Sequence, residues 1–378
     1  MSKSAPKSVS KPTSKPVSKF IAKSAKYLLI GSTTAYSGKS ATVLGIAHQL
    51  KHQGLDIAYG KPLGNATDED GKEADVSLIA QVLGLSADRL HPTLLYLDQE
   101  TVNKRLGGED NKDYRAALGE YLGVGDLALL EAPATFGEGN VFDLCLRQMA
   151  EILDGSVLLV ARFHPQELVD SLLAGKRELG DRLAGVLIND IPQDDLDLAE
   201  TKIRPYLERQ GIPVLGMMPR SSILRGVSVR QLVQQLQAEV LCRGDRLDLM
   251  VESLTIGAMN VNSALKYFRK GTNMAVVTGG DRSDIQLAAL ETSTNCLILT
   301  GQIAPQPFIL SRAEDLEIPI LSVDLDTLST VEIINHAFGH VRLYEPIKIN
   351  CIQQLMVEHF DIDRLMNHLK IEPKGMPV

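Results

Sequence analysis

Residues 27 to 40 read Tyr27-Leu28-Leu29-Ile30-Gly31-Ser32-Thr33-Thr34-Ala35-Tyr36-Ser37-Gly38-Lys39-Ser40. An apolar run enters a loop of glycine and small hydroxylated residues, and an amphipathic stretch follows with Val43, Leu44, Ile46, Ala47 and Leu50 on one side. A strand, a tight loop and a helix start in that order aim several backbone N–H groups and the helix dipole at one point, where an anion gains both. Gly38-Lys39-Ser40 adds an ammonium that reaches the outer phosphates of a polyphosphate and a hydroxyl suited to magnesium. The loop is a variant, because the common pattern begins five residues before Gly38, where Thr33 stands, while Gly31 lies seven before it. Gly31, Thr34, Ser37, Gly38, Lys39 and Ser40 form the expected contact set for ATP or another nucleoside triphosphate with Mg2+.

Outward from this stretch, apolar runs recur at 57–60, 127–130, 157–161, 184–188 and 214–217, separated by segments of helical length. Strands apolar on both faces that alternate with helices imply a parallel sheet covered on both sides, an α/β fold of P-loop NTPase-like type. Ligands of such sheets sit beyond the C-terminal strand ends, which selects Lys61, Glu131, Asn189 and Pro219 beside the phosphate loop. A carboxylate ending a buried strand is costly unless it meets a cation or a donor, so Glu131 reads as an orienter of magnesium or its water.

The second half repeats a shorter pattern. A helix is expected over 229–240, a new set of strands and helices from about Leu247, and another helix over 257–268. Ala275-Val276-Val277 runs into Thr278-Gly279, and Cys296-Leu297-Ile298-Leu299 runs into Thr300-Gly301. The expected division is a basic tail over 1–26, a P-loop domain over 27–219, a linker helix and smaller α/β domain over 220–350, and a C-terminal helix and tail over 351–378.

Composition narrows the function classes. The net charge is −8, and the seven lysines and absent acids of the first 26 residues leave −15 for the rest, which argues against a nucleic-acid-binding surface. Nowhere do 18 apolar residues run together, so no transmembrane segment is expected and the cytoplasm is the expected compartment. The tail repeats Ser-Lys-Pro with little apolar content and reads as disordered. Cys145, Cys242, Cys296 and Cys351 lack metal-ligand spacing and read as reduced core thiols.

In chain order, the phosphate loop, Lys61-Pro62, Asp75, Glu131-Ala132-Pro133, Gly185-Val186-Leu187-Ile188-Asn189-Asp190 and Gly211-Ile212-Pro213-Val214-Leu215-Gly216 resemble the dethiobiotin synthetase family and the related amino-terminal domain of long bacterial phosphotransacetylases. Val277-Thr278-Gly279-Gly280-Asp281-Arg282-Ser283-Asp284 resembles the DRTGG domain that follows in those proteins, so that the likeness covers roughly residues 27 to 345. The resemblance implies that Lys39 and Ser40 bind ATP and magnesium, that Asp75 and Glu131 complete the metal site, that Lys61 helps hold a substrate as the one catalytic candidate, and that Asn189 reads the adenine. Two departures stand out: Leu63-Gly64-Asn65 lacks a small hydroxyl cluster after Lys61-Pro62, and Ala132-Pro133-Ala134-Thr135 replaces a glycine-rich stretch. A biotin-pathway substrate is therefore not expected. Acetyltransferase activity is not expected either, with about 30 residues after the second domain.

Weaker patterns remain. His336 and His340 are four apart with no third ligand in sight, and Asp281-Arg282 reads as an ion pair locking a turn or as part of an effector or interface surface. A DRTGG-like module leaves a homo-oligomer open, along with an unknown small effector or protein partner. Three functions compete: a nucleotide-binding regulator with slow or no hydrolysis, an ATP-dependent ligase acting near Lys61, and a scaffold with a degenerate nucleotide site.

Overall fold

A computed structural model describes residues 26–65, 67, 71–121, 123–338 and 345–374. Residues 1–25 of the basic tail and His340 lie outside the described residues, and Lys26, expected in that tail, begins the first strand.

The first domain alternates β1 (Lys26–Ser32), α1 (Lys39–His52), β2 (Ile57–Gly60), α2 (Ala74–Leu83), β3 (Leu90–His91), β4 (Leu127–Glu131), α3 (Leu146–Ile152), β5 (Ser156–Arg162), α4 (Leu168–Leu179), β6 (Leu183–Ile191), α5 (Arg204–Arg209), β7 (Val214–Pro219) and α6 (Ser222–Arg225). Its main sheet has seven strands, all parallel, in the order β3-β2-β4-β1-β5-β6-β7. With β1 at the centre, every strand end the sequence singled out falls on one edge of the sheet. The pleat divides β1 between two cores: Leu28 and Ile30 pack with Val43, Leu44 and Ile46 of α1, while Leu29 packs with Leu146 and Met149 of α3. Gly31 shares Leu29's face, where a Cβ would run into Leu146, so its smallness serves strand–helix packing.

The second domain holds α7 (Val229–Leu236), β8 (Glu239–Cys242), β9 (Ser253–Ile256), α8 (Val261–Phe268), β10 (Met274–Gly279), α9 (Ser283–Leu290), β11 (Thr294–Thr300), α10 (Pro307–Asp315), β12 (Ile320–Val323) and α11 (Thr327–Ala337). Its sheet order is β8-β12-β11-β10-β9, parallel except for β8 against β12. The helix expected over 229–240 stops at Leu236, because Gln237 turns to φ +50° and the chain leaves as β8. Arg282 pairs with Asp284 at 3.2 Å and donates to the Met259 carbonyl at 2.9 Å, rather than closing a pair with Asp281.

The C-terminal segment departs most from expectation. It forms two helices, α12 (Pro346–His359) and α13 (Ile362–Leu369), and both return to the first domain. Met356 lies against Gly45 of α1, Phe360 bridges to Gly216 in β7, and the Asp361 amide donates to the Leu215 carbonyl at 2.7 Å. A fork of two hydrogen bonds at 2.7 and 2.8 Å joins Arg364 to Glu208. Ile352, Met356, Phe360, Leu365 and Met366 belong to the same buried cluster as Leu28 and Ile30. The smaller domain is thus inserted between β7 and the last layer of the first. Among the described residues, no helix is long and apolar enough to cross a membrane. The four cysteines are free; three are buried, and Cys351 lies 3.5 Å from the Ser221 hydroxyl.

Candidate functional site

Between β1 and α1 the chain turns through residues 33–38 using two left-handed positions, Tyr36 at φ +54° and Gly38 at φ +101°. Only glycine takes the second without strain. Asn189, at the end of β6, donates from Nδ2 to the Ser37 carbonyl at 2.9 Å and occupies the space a side chain at 38 would need. Gly38 caps α1 without a side-chain hydrogen bond, and the helix has no acidic residue in its first turn. The leading amides and the positive end of the dipole are therefore left uncompensated by the protein. Ser37 is fully buried, and its Oγ has no hydrogen-bond partner among the described residues.

These groups open on a cleft of about 660 Å3 along the C-terminal edge of the sheet, within the range of small-molecule sites. Ser37, Gly38, Lys39, Ser40, Lys61, Asp75, Glu131 and Asn189 all line it, so eight of the expected residues come together, as does Pro219 from the strand-end rule. Gly31 and Thr34 do not line it: the first is inside β1, and the second is exposed.

Lys39 Nζ donates to Ser32 Oγ at 3.0 Å, and that hydroxyl donates onward to the Ala134 carbonyl at 2.7 Å. Burial pulls the Lys39 ammonium below its usual range, with Glu131 opposing. Glu131 is almost fully buried, and burial pushes its carboxyl up while Lys61 and Lys39 pull it down. Its Oε1 accepts from Ser40 Oγ at 3.1 Å and its Oε2 from the Tyr59 hydroxyl at 3.3 Å. Tyr59 is held well above the usual phenol range, by burial first and by Glu131 second. Magnesium prefers hard oxygen ligands, and Ser40 Oγ with Glu131 Oε1 offers two at one spot, so this donor pair fits the ion.

Asp75 is placed differently. Glu73 caps α2, its Oε2 accepting from the Asp75 and Val76 amides at 2.7 and 3.0 Å. Lys61 ion-pairs with Glu73 Oε1 at 2.7 Å and with Asp75 Oδ2, and donates to Asn65 Oδ1 at 3.1 Å. Burial works against the Lys61 charge, but Glu131, Asp75 and Glu73 more than reverse it and leave the ammonium raised. Two hydrogen bonds, to Asp75 and Asn65, and a further ion-pair contact with Glu73 thus surround the ammonium. In this arrangement the carboxylate expected on the metal and the ammonium expected on a substrate hold each other.

Several cleft residues escaped the sequence reading. Arg162 ends β5 and Asp190 follows Asn189 in β6, so the rule that found Glu131 would have found both. Arg162 donates from Nε and Nη2 to Asp190 Oδ2 at 3.0 and 2.9 Å, and Arg220 donates from Nε to Oδ1 at 2.9 Å. Arg225 at the end of α6 stands 3.9 Å from the same carboxylate. Glu73 and Tyr59 carried no signal in spacing. Among the described residues, no group of three or more His, Cys, Asp or Glu side chains is arranged to hold a metal by itself.

A central strand, a glycine–lysine–serine turn and a helix start inside an all-parallel seven-stranded sheet define a P-loop NTPase-like domain, here carrying a smaller α/β domain. The family model described as AAA domain matches residues 26–228, more than half of the chain, and the chain belongs to that family. The model described as DRTGG domain matches residues 231–337. The chain is 27% identical over 375 residues to phosphate acetyltransferase of Synechocystis sp., covering 92% of this chain and 52% of that protein. It is 26% identical over 368 residues to phosphate acetyltransferase of Nitratidesulfovibrio vulgaris, covering 90% and 51%. The chain thus spans about half the length of the curated relatives it matches. A solved structure of the CBS and DRTGG domains of the regulatory region of Clostridium perfringens pyrophosphatase, complexed with the activator diadenosine tetraphosphate, is 19% identical with a TM-score of 0.28, covering 47% of this chain and 90% of that one.

Proposed function

We propose that this protein is a nucleotide-binding regulator: its first domain takes a nucleoside triphosphate, ATP in the first instance, with magnesium, hydrolyses it slowly or not at all, and passes the bound state to the DRTGG domain. The observation that carries the reading is the uncapped start of α1, with Gly38 in a left-handed turn and Lys39 and Ser40 at the cleft. Those amides and the dipole have no acidic side chain in the first turn of α1 to answer them, and together with the ammonium they compensate a polyphosphate. Ser40 and Glu131 would hold the magnesium, which supplies charge neutralisation for the outer phosphates. Lys61 supports a regulator over a ligase, because its ammonium is already surrounded by Glu73, Asp75 and Asn65.

The route between domains is short. Two residues after Arg225, the segment Val227–Ser228 pairs antiparallel with Met250–Val251 of the second domain, and Ser221 and Leu224 line the cleft. A nucleotide that binds two arrangements of this connection with different affinity shifts their populations by that difference, and nothing further is required for a switch. The test is a titration of ATP and GTP with magnesium, followed by phosphate release with and without candidate carboxylates and amines. Tight binding with negligible release is expected. Turnover that depends on a small substrate and disappears in Lys61→Ala would replace the regulator with a ligase.

A further inference from the structure

The cleft is charged in opposite senses on its two sides. On the β2–β4 side stand Glu131, Asp75 and Glu73 with Lys61 among them. On the β5–β7 side a single carboxylate, Asp190, with its side chain 10% exposed, faces three guanidinium groups, Arg162, Arg220 and Arg225. Arg162 and Arg220 already bond both of its oxygens, and three guanidinium charges against one carboxylate leave two positive charges over. Arg162 and Arg225 line the cleft, and Arg225 donates no hydrogen bond among the described residues. Partly buried guanidinium groups are poorly placed without an anion, and their planar donor sets match phosphate.

The ligand's direction follows from the sheet order. A polyphosphate on the β1 loop turns its terminal phosphates toward Ser40 and Glu131, on the β4 side. Its nucleoside end then runs the other way, over β5, β6 and β7, to Arg162 and Arg225. A base and an unmodified ribose are neutral and leave that charge unanswered.

We propose that the preferred ligand is a nucleotide bearing a second phosphate on its ribose, held by Arg162 and Arg225. The inference rests on the nucleotide-binding reading above and adds the ligand class. Arg225 ends the helix that leads into the domain connection, so this phosphate is also the part of the ligand nearest the second domain.

The test is calorimetry on the full chain with three probes: ADP, 3′-phospho-ADP and 2′-phospho-ADP, each with magnesium. A charge-assisted pair contributes enough for one phosphorylated isomer to bind about 10- to 100-fold more tightly than ADP. In Arg225→Ala the ratio between that isomer and ADP falls toward one, and in Arg225→Lys it falls part of the way. Arg225 is 37% exposed, and an unchanged melting curve of the free variant shows that its fold is kept. Equal affinity of all three probes for the unaltered protein, or a ratio that survives Arg225→Ala, overturns the proposal while leaving nucleotide binding intact. Failure of all three probes overturns the ribose-phosphate proposal, and silence toward ATP with magnesium in the same titration overturns the nucleotide reading as well; the isomer preferred identifies which ribose hydroxyl carries the phosphate.

Discussion

Replacing Gly38 with alanine tests the loop conformation on which the nucleotide site depends. The residue sits at φ +101°, where a side chain costs roughly 1–2 kcal/mol in backbone strain. Its new methyl group would also meet the Asn189 amide nitrogen and displace it from the Ser37 carbonyl, a bond of 2.9 Å worth about 1 kcal/mol. The sum is about 2–3 kcal/mol, a sizeable share of the roughly 5–15 kcal/mol that holds a domain together. The two parts separate in a double-mutant cycle. In an Asn189→Ala background the amide is absent, so Gly38→Ala should cost only the backbone strain, and the coupling between the sites should be about 1 kcal/mol. Urea unfolding followed by circular dichroism reads all four proteins. A Gly38→Ala variant as stable as the parent, or one whose cost is the same in both backgrounds, would refute the loop geometry.

Three further outcomes are expected. In Glu131→Gln, binding of ATP should lose most of its magnesium dependence while binding without the metal persists; an unchanged magnesium dependence in calorimetry would remove Glu131 from the metal position. Phe360→Ala should destabilise the first domain by about 3–5 kcal/mol, because the ring closes a core shared with β1 and α1; a change below about 1 kcal/mol in denaturation would mean that α12 and α13 do not belong to that core. His91 is buried, stacks on Tyr121 at 4.7 Å and is held below the usual histidine range by burial. The unfolded chain therefore takes up a proton near pH 6.5 that the folded one refuses, and stability should be full above that pH and fall as the pH drops below it. The partly buried His48 shifts the same way, by burial and then by His52, so the fall should be smaller, not absent, in His91→Phe. A His91→Phe variant with the parent's pH profile would contradict this.

Much of the fold was legible because its signals are local. The apolar runs at 57–60, 127–130, 157–161, 184–188 and 214–217 became β2, β4, β5, β6 and β7, and the rule that ligands gather at strand ends brought Lys39, Lys61, Glu131 and Asn189 to one cleft. What stayed hidden depends on partners distant in sequence. The two-residue β3 carries no apolar run, and nothing local marks Met356 and Phe360 as the complement of Gly45 and Gly216. Asn189 was expected at an adenine; that its amide nitrogen also holds the phosphate loop, from 152 residues away, had no signal in the sequence. Lys61 and Asp75 were assigned to separate tasks because spacing shows which residues share an edge, not which of them bind each other. The arginines around Asp190 come from three elements, β5, α6 and the turn after β7, and no pattern within one element reveals their meeting.

The most direct measurement is calorimetric titration of ATP with magnesium into the unaltered chain and into Lys39→Ala at matched protein concentration. If the turn around Gly38 holds a polyphosphate, the parent binds one nucleotide per chain, and the variant, missing a charge-assisted contact, binds at least about tenfold more weakly. Equal affinity for the two proteins, or no heat from the parent with any nucleoside triphosphate, would contradict it.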